Sequence, residues 1–183
     1  MQCPTGKDAY QELDKEASKA PAGSGGLLYY PYLVGERCPV FSSNVRAAFL
    51  GADASMDRGY FARAVLEGVA LSLRQVYELM CSTGTPTAKE IILCGGGAKS
   101  QLWRQIVADT FGVKVRISAG AAEGSAYGAA LLAGVGAGLW ESVEQAADTG
   151  TCLEEIQPCE AHREVYEKKY VQYCEMAACT TII

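Results

Sequence analysis

Hydrophobic positions change their spacing several times along this chain, and each change marks a new element. Between Asp8 and Lys19, Tyr10, Leu13 and Ala17 fall three and four apart in a charged segment. That spacing predicts a helix with a single apolar stripe. The following "APAGSGG" is a turn-rich connector. "LLYYPYL" is a short apolar, aromatic run that reads as a strand, with Pro31 confining it to an edge or a strand end. Residues 34–56 carry Gly, Pro, Ser and Asn at intervals and read as loop around a short strand over Ala47–Leu50.

From Arg58 to Cys81 the period becomes helical: Ala62, Leu66, Val69, Leu73, Val76 and Met80 share one face. Arg63 and Glu67, four apart, are expected to pair along the outer side of this helix. "STGTP" ends it, and "KEIILC" reads as a short buried strand. Three glycines lead into a helix from Ser100 to Phe111, closed by Gly112. "VKVRIS" then alternates as a second strand with Val113, Val115 and Ile117 inward. Helices follow from Glu123 to Ala137, from Glu141, and from Glu160 to Ala178. The uncharged run Ser125–Leu139 is about five residues short of a membrane span. Its Gly and Ala content predicts a tightly packed interior helix against the sheet. Strands alternating with helices make the chain α/β.

Composition narrows the function classes. With 183 residues, 49% hydrophobic and 20% charged, the chain is long enough for one domain with a substantial core. A net charge of -5 argues against a nucleic-acid binder, which carries a basic footprint. The nine carboxylates between Glu141 and Glu175, set against Arg163, Lys168 and Lys169, read as a solvated helical face. Eight cysteines without a Cys-x-x-Cys pair, and no basic start followed by an apolar run, point to reduced thiols in a cytoplasmic protein. With His162 as the single histidine and Cys159 its nearest thiol in sequence, no metal site is expected.

The candidate chemistry lies in "CGGGAKSQ", residues 94–101. A P-loop needs glycine immediately before its lysine, and Ala98 stands there; the position six before Lys99 is Leu93. A dinucleotide fingerprint beginning at Gly95 needs a third glycine where Ser100 stands. What survives is a strand leading to Gly95, Gly96 and Gly97, where no side chain blocks a ligand. The helix behind them directs free N–H groups and its positive dipole end at that spot. Ser100 is its expected N-cap, with Gln101 beside it. Taken locally, the same glycines also suit a tight turn needed only for packing.

The order of segments adds to this reading. "GLLYYPYLVGERCP", "RAAFLGADASMDRGYFARAVLEGVALSLRQVYE", "EIILCGGGAKSQLWRQIVADTFGVKV" and "EGSAYGAALLAGVGAGLW" together resemble the C-terminal domain of FGGY carbohydrate kinases, most closely xylulokinases. The resemblance runs from Tyr10 to about Tyr173. It implies an α/β, ribonuclease-H-like (actin-like ATPase) domain with a mixed sheet packed with helices. It divides the chain into an N-terminal helix and connector (1–25), the nucleotide-binding domain (26–178) and a tail (179–183).

It also implies a site. Gly95, Gly96 and Gly97 would line the adenosine and phosphate side of ATP, with Ala98, Ser100 and Gln101 near the ribose or adenine and Lys99 toward solvent. In this family ATP acts with Mg²⁺ and an aspartate base that takes the sugar hydroxyl proton. The base belongs to a Gly-x-x-Asp-Gln-like segment, and this chain has no Asp-Gln pair. Asp109 is read as supporting the fold, so no catalytic residue and no metal ligand is expected here.

The second family signature is matched by Ala47, Phe49 and Gly51, with departures at Ala52 and Tyr60. Glu36 and Arg37 read as stabilising their loop, with a charged pair near the interlobe cleft as the alternative, and Glu123-Gly124 as the start of the packed Ala/Gly helix. The expected partners are ATP or ADP, and a sugar bound through an N-terminal lobe. Exposed cleft surface is expected to favour a homodimer. Gluconate-, glycerol- or rhamnulose-type kinases, or a non-catalytic module of the same fold, remain alternatives.

Overall fold

The computed structural model describes residues 7–120 and 123–180. Residues 1–6 of the proposed N-terminal segment and 181–183 of the proposed tail lie outside the described residues. Among the described residues six α-helices and five strands follow in the order α1 (Lys7–Ala17), β1 (Leu28–Tyr30), β2 (Ala48–Leu50), α2 (Arg58–Ser82), β3 (Glu90–Ile92), α3 (Gln101–Phe111), β4 (Lys114–Ser118), α4 (Ser125–Gly136), α5 (Val143–Asp148), β5 (Cys152–Ile156) and α6 (Arg163–Glu175).

β1 and β2 form an antiparallel ribbon with Tyr29 opposite Phe49. β3 and β4 pair in parallel through the α3 crossover, and β5 adds antiparallel to the far edge of β4. The sheet is therefore mixed. The strand β5 has no counterpart in the periodicity, because "CLEEI" is exposed at four of its five positions and has no alternation. It forms where β4 offers unpaired backbone groups.

Two cores hold these layers. In the first, Leu28, Tyr30, Tyr32 and Val45 meet Leu71 of α2 and Tyr170 and Tyr173 of α6. Tyr30 stacks on Tyr173 with centroids 4.3 Å apart, and its hydroxyl donates to the Tyr173 carbonyl. These buried rings thus contribute apolar area while their polar tips stay bonded. Gly68 lets α2 lie close against β1: a Cβ there would lie 2.1 Å from the carbonyl oxygen of Tyr29. In the second core, Ala98, Val107 and Ala108 lie against Val115 and Ile117 of β4. Val115 and Ile117 point inward as the alternation predicts, whereas Val113 lies before the strand and is half-buried.

The pairing of Arg63 with Glu67 is present at 2.8 Å, but inside the protein and not along an outer face. Both are buried, with Glu67 fully so. The Glu67 carboxylate accepts from Gly23 N–H, Ser24 Oγ, Arg63 Nε, Tyr166 Oη and Lys169 Nζ. Lys169 also donates to the carbonyls of Gly23 and Leu27. Burial alone would raise the Glu67 pKa; the Lys169 and Arg63 charges outweigh it and hold the carboxyl below its usual range. One carboxylate shared by two cations leaves Lys169 undercompensated, and burial draws its pKa down.

Arg74 provides a second clamp. It donates to the Thr110 carbonyl and to both oxygens of Glu167, and lies over the Tyr170 ring at 4.1 Å. α2, α3 and α6 are thereby tied together.

The expectation of a buried α4 is not met. Of its residues only Gly134 is buried, under the Trp140 ring, and Leu132 is 58% exposed. An uncharged helix normally hides its surface; this one packs against α5, with Trp140 over Gly134 and Tyr127 against Gly120 and Gly150, and leaves the rest of its surface largely uncovered. Glu36 stabilises its loop as expected: its carboxylate accepts the backbone N–H groups of Arg37 and Cys38. Among the described residues no helix is long and apolar enough to cross a membrane.

Candidate nucleotide site

β3 ends with a last ladder bond from Leu93 N–H to the Arg116 carbonyl, 3.1 Å, and the chain then leaves the sheet at Cys94. Gly95 adopts φ 80°, ψ -170°, a conformation that L side chains rarely reach, which accounts for glycine at this corner. Residues Gly96–Lys99 form one tight turn, closed by Ala98 N–H to Gly95 O at 3.1 Å and Ser100 N–H to Gly97 O at 3.0 Å. Ser100 returns to extended geometry, and its Oγ accepts from Trp103 N–H at 3.0 Å, capping α3. At the other end Gly112 (φ 64°) closes the helix onto the Ala108 carbonyl, as its position predicts.

The six candidate residues lie within Gly95–Gln101, in this turn and at the start of α3, but differ in what they present. A Cβ on Gly95 or Gly96 would meet nothing within 4 Å, so their backbone borders open space. Gly97 instead lies under Trp103, whose indole Nε1 would be 3.1 Å from a Cβ there. Ala98 is buried and its methyl belongs to the core, leaving only its backbone at the site. Ser100 uses its hydroxyl as a cap, and Gln101 and Lys99 are exposed, the latter as expected.

The turn is a ledge, not a pit. Two surface recesses, of about 370 Å³ beside Gly23–Gly26 and about 690 Å³ beside Val34–Ser43, lie at other segments. The ledge combines exposed glycine backbone with the start of α3, where the Trp103 and Arg104 N–H groups bond Ser100 and those of Gln101 and Leu102 precede them. That arrangement suits an anion or a nucleotide sugar-phosphate edge.

Asp109, on the far half of α3, supports the fold as its position suggests. Its Oδ1 accepts from Cys159 N–H and Gln105 Nε2, and its Oδ2 is 2.7 Å from His162 Nδ1. The other described aspartates with side-chain partners are also structural: Asp57 caps α2, and Asp53 accepts from Ser55. Sequence reading missed two side chains at the ledge, Trp103 and Arg104. Arg104 donates to the Ala98 carbonyl and to Glu154 of β5. The available signal was a cation in the first turn of a helix, where the dipole disfavours it.

Comparison with known proteins places this architecture. The profile described as "FGGY family of carbohydrate kinases, C-terminal domain" matches residues 3–137. The xylulose kinase of Bacillus subtilis is 39% identical over 141 residues, 77% of this chain and 28% of that protein. The crystal structure of xylulose kinase from Rhodospirillum rubrum superposes with TM-score 0.80 at 32% identity, over 96% of this chain and 35% of that one. Gluconate kinase from Lactobacillus acidophilus does so with TM-score 0.83 at 28% identity, over 98% and 37%. The chain therefore spans about a third of the length of these relatives, and its fold is the α/β, actin-like ATPase fold they share.

Proposed function

Because this chain belongs to the FGGY family of carbohydrate kinases, we propose that it is the nucleotide-binding lobe of a cytoplasmic, ATP-dependent sugar kinase of xylulokinase type. The observation that carries the nucleotide assignment is the open backbone of Gly95 and Gly96 at the capped start of α3. The glycines admit a phosphate or ribose edge, the α3 N–H groups and dipole favour its negative charge, and Gln101 stands exposed beside them. Residues 26–178 form the unit we assign to this role.

In phosphoryl transfer, Mg²⁺ neutralises charge on the β- and γ-phosphates, and a carboxylate takes the sugar hydroxyl proton. Among the described residues no group of three His, Cys, Asp or Glu side chains is arranged to hold a metal ion. On this reading the chain contributes the adenosine side of the cleft, with base, sugar pocket and magnesium ligands supplied by an N-terminal lobe. We expect the 183-residue polypeptide alone not to phosphorylate xylulose, as tested by a coupled ADP-release assay on purified protein. Sustained turnover would overturn this division of labour.

Calorimetry with ADP and Mg²⁺ tests the site itself. Gly96→Val is a clean probe, because its side chain enters space that no protein atom occupies. Weak heat from the wild type that disappears in Gly96→Val supports the nucleotide reading. No heat from either protein favours a non-catalytic module of the same fold. Gluconate is the alternative sugar, favoured by the superposition on gluconate kinase.

A further inference from the structure

Arg104 occupies the fourth position of α3, where the positive end of the helix dipole disfavours a cation. Its side chain is only 15% exposed, so its charge also loses much of its hydration. Two acceptors from separate segments offset this. Nε donates to the carbonyl of Ala98 in the glycine turn, and Nη1 donates to the Glu154 carboxylate on β5. A guanidinium presents donors in a fixed planar fork and can hold both at once.

Ala98 is the fixed point of the turn. Its methyl is set in the core beside Val107, Val115 and Ile117, and its N–H closes the turn onto Gly95. Arg104 secures the third direction, the carbonyl. The three preceding glycines have the widest conformational freedom of any residues, so a turn without this anchor has to be ordered by its ligand.

We infer that Arg104 is a positioning residue for the nucleotide site: it holds the Ala98 carbonyl against Glu154 of β5 and so preorganises Gly95–Lys99. It acts through the turn and does not touch the ligand. The assignment rests on the nucleotide reading of that turn, but the preorganisation is measurable without nucleotide.

Arg104→Met keeps most of the apolar stem and removes the donors. Arg104→Lys keeps the charge but lacks the planar fork. Glu154→Gln keeps an acceptor without charge. In ligand-free protein, hydrogen exchange at the Ala98 and Ser100 amides is expected to accelerate at least tenfold in Arg104→Met. Exchange at Val107–Asp109 is expected to stay at the wild-type rate. ADP affinity is expected to fall about tenfold in Arg104→Met, nearly as much in Arg104→Lys, and less in Glu154→Gln.

Wild-type exchange at the turn in Arg104→Met overturns the proposal. So does acceleration throughout α3, which marks a general packing role. Unchanged ADP affinity in Arg104→Met, with binding still abolished by Gly96→Val, overturns it while leaving the nucleotide reading intact. Absence of ADP binding by the wild type removes that reading, and the role assigned to Arg104 with it.

Discussion

At the scale of single residues, Glu67 concentrates more interactions than any motif suggested by the sequence. Its carboxylate gathers five donors from the 23–24 turn, α2 and α6, all of them on buried residues. Removing one partner of a buried ion cluster strands the others, at a cost of about 3–5 kcal/mol. Glu67→Gln, which leaves Arg63 and Lys169 without a counter-charge, is expected to lose that much in urea unfolding. The pH dependence has a defined sign. Glu67 has a folded pKa below its unfolded value of about 4.3, so its contribution is complete above that value. It is lost as pH falls through the lower, folded value. A fall in urea midpoint below about pH 4.3 that is absent in Glu67→Gln checks this.

At the scale of elements, α3 is the part that brings fold and site together. Its start is capped by Ser100, its inner face fills the second core, and Asp109 ties its far half to the turn before α6. Ser100→Ala removes the cap and is expected to cost about 1 kcal/mol of stability. Because the same cap sets the direction of the first N–H groups, ADP affinity is expected to weaken together with thermal stability. Parallel calorimetry and thermal melts measure both. The start and end of α3 were legible, since Ser and Gly perform those tasks through their own local chemistry. The Arg104 clamp was not, because its second acceptor lies 50 residues away on a strand with no periodic signature.

At the scale of the whole molecule, α4 carries the largest mismatch between composition and environment. No charged residue occurs between Glu123 and Glu141, yet Leu132 and, just beyond the helix, Leu139 are exposed, the latter at 72%. Exposed apolar surface of this kind favours association. We expect the purified chain to self-associate as concentration rises, and Leu132→Glu to shift it toward monomer in sedimentation velocity. Wild-type monomer at high concentration would refute this. The same exposure suits a lobe whose relatives are about three times as long.

What the amino-acid sequence determined by itself is everything set by near neighbours along the chain. The long α2, the β3–turn–α3–β4 unit, the Ser100 cap and the glycine corner all follow from side-chain periodicity and local hydrogen bonding. The ordered blocks that mark the FGGY family are of the same linear kind. Tertiary structure decided what depends on distant partners. It turned the Arg63–Glu67 pair inward by bringing Lys169 and the 23–27 turn to it, and recruited "CLEEI" as β5 because β4 had a free edge. It left most of α4 uncovered because little beyond α5 and Trp140 is placed against it. Periodicity states which face of an element is apolar; burial depends on what the rest of the chain places against it.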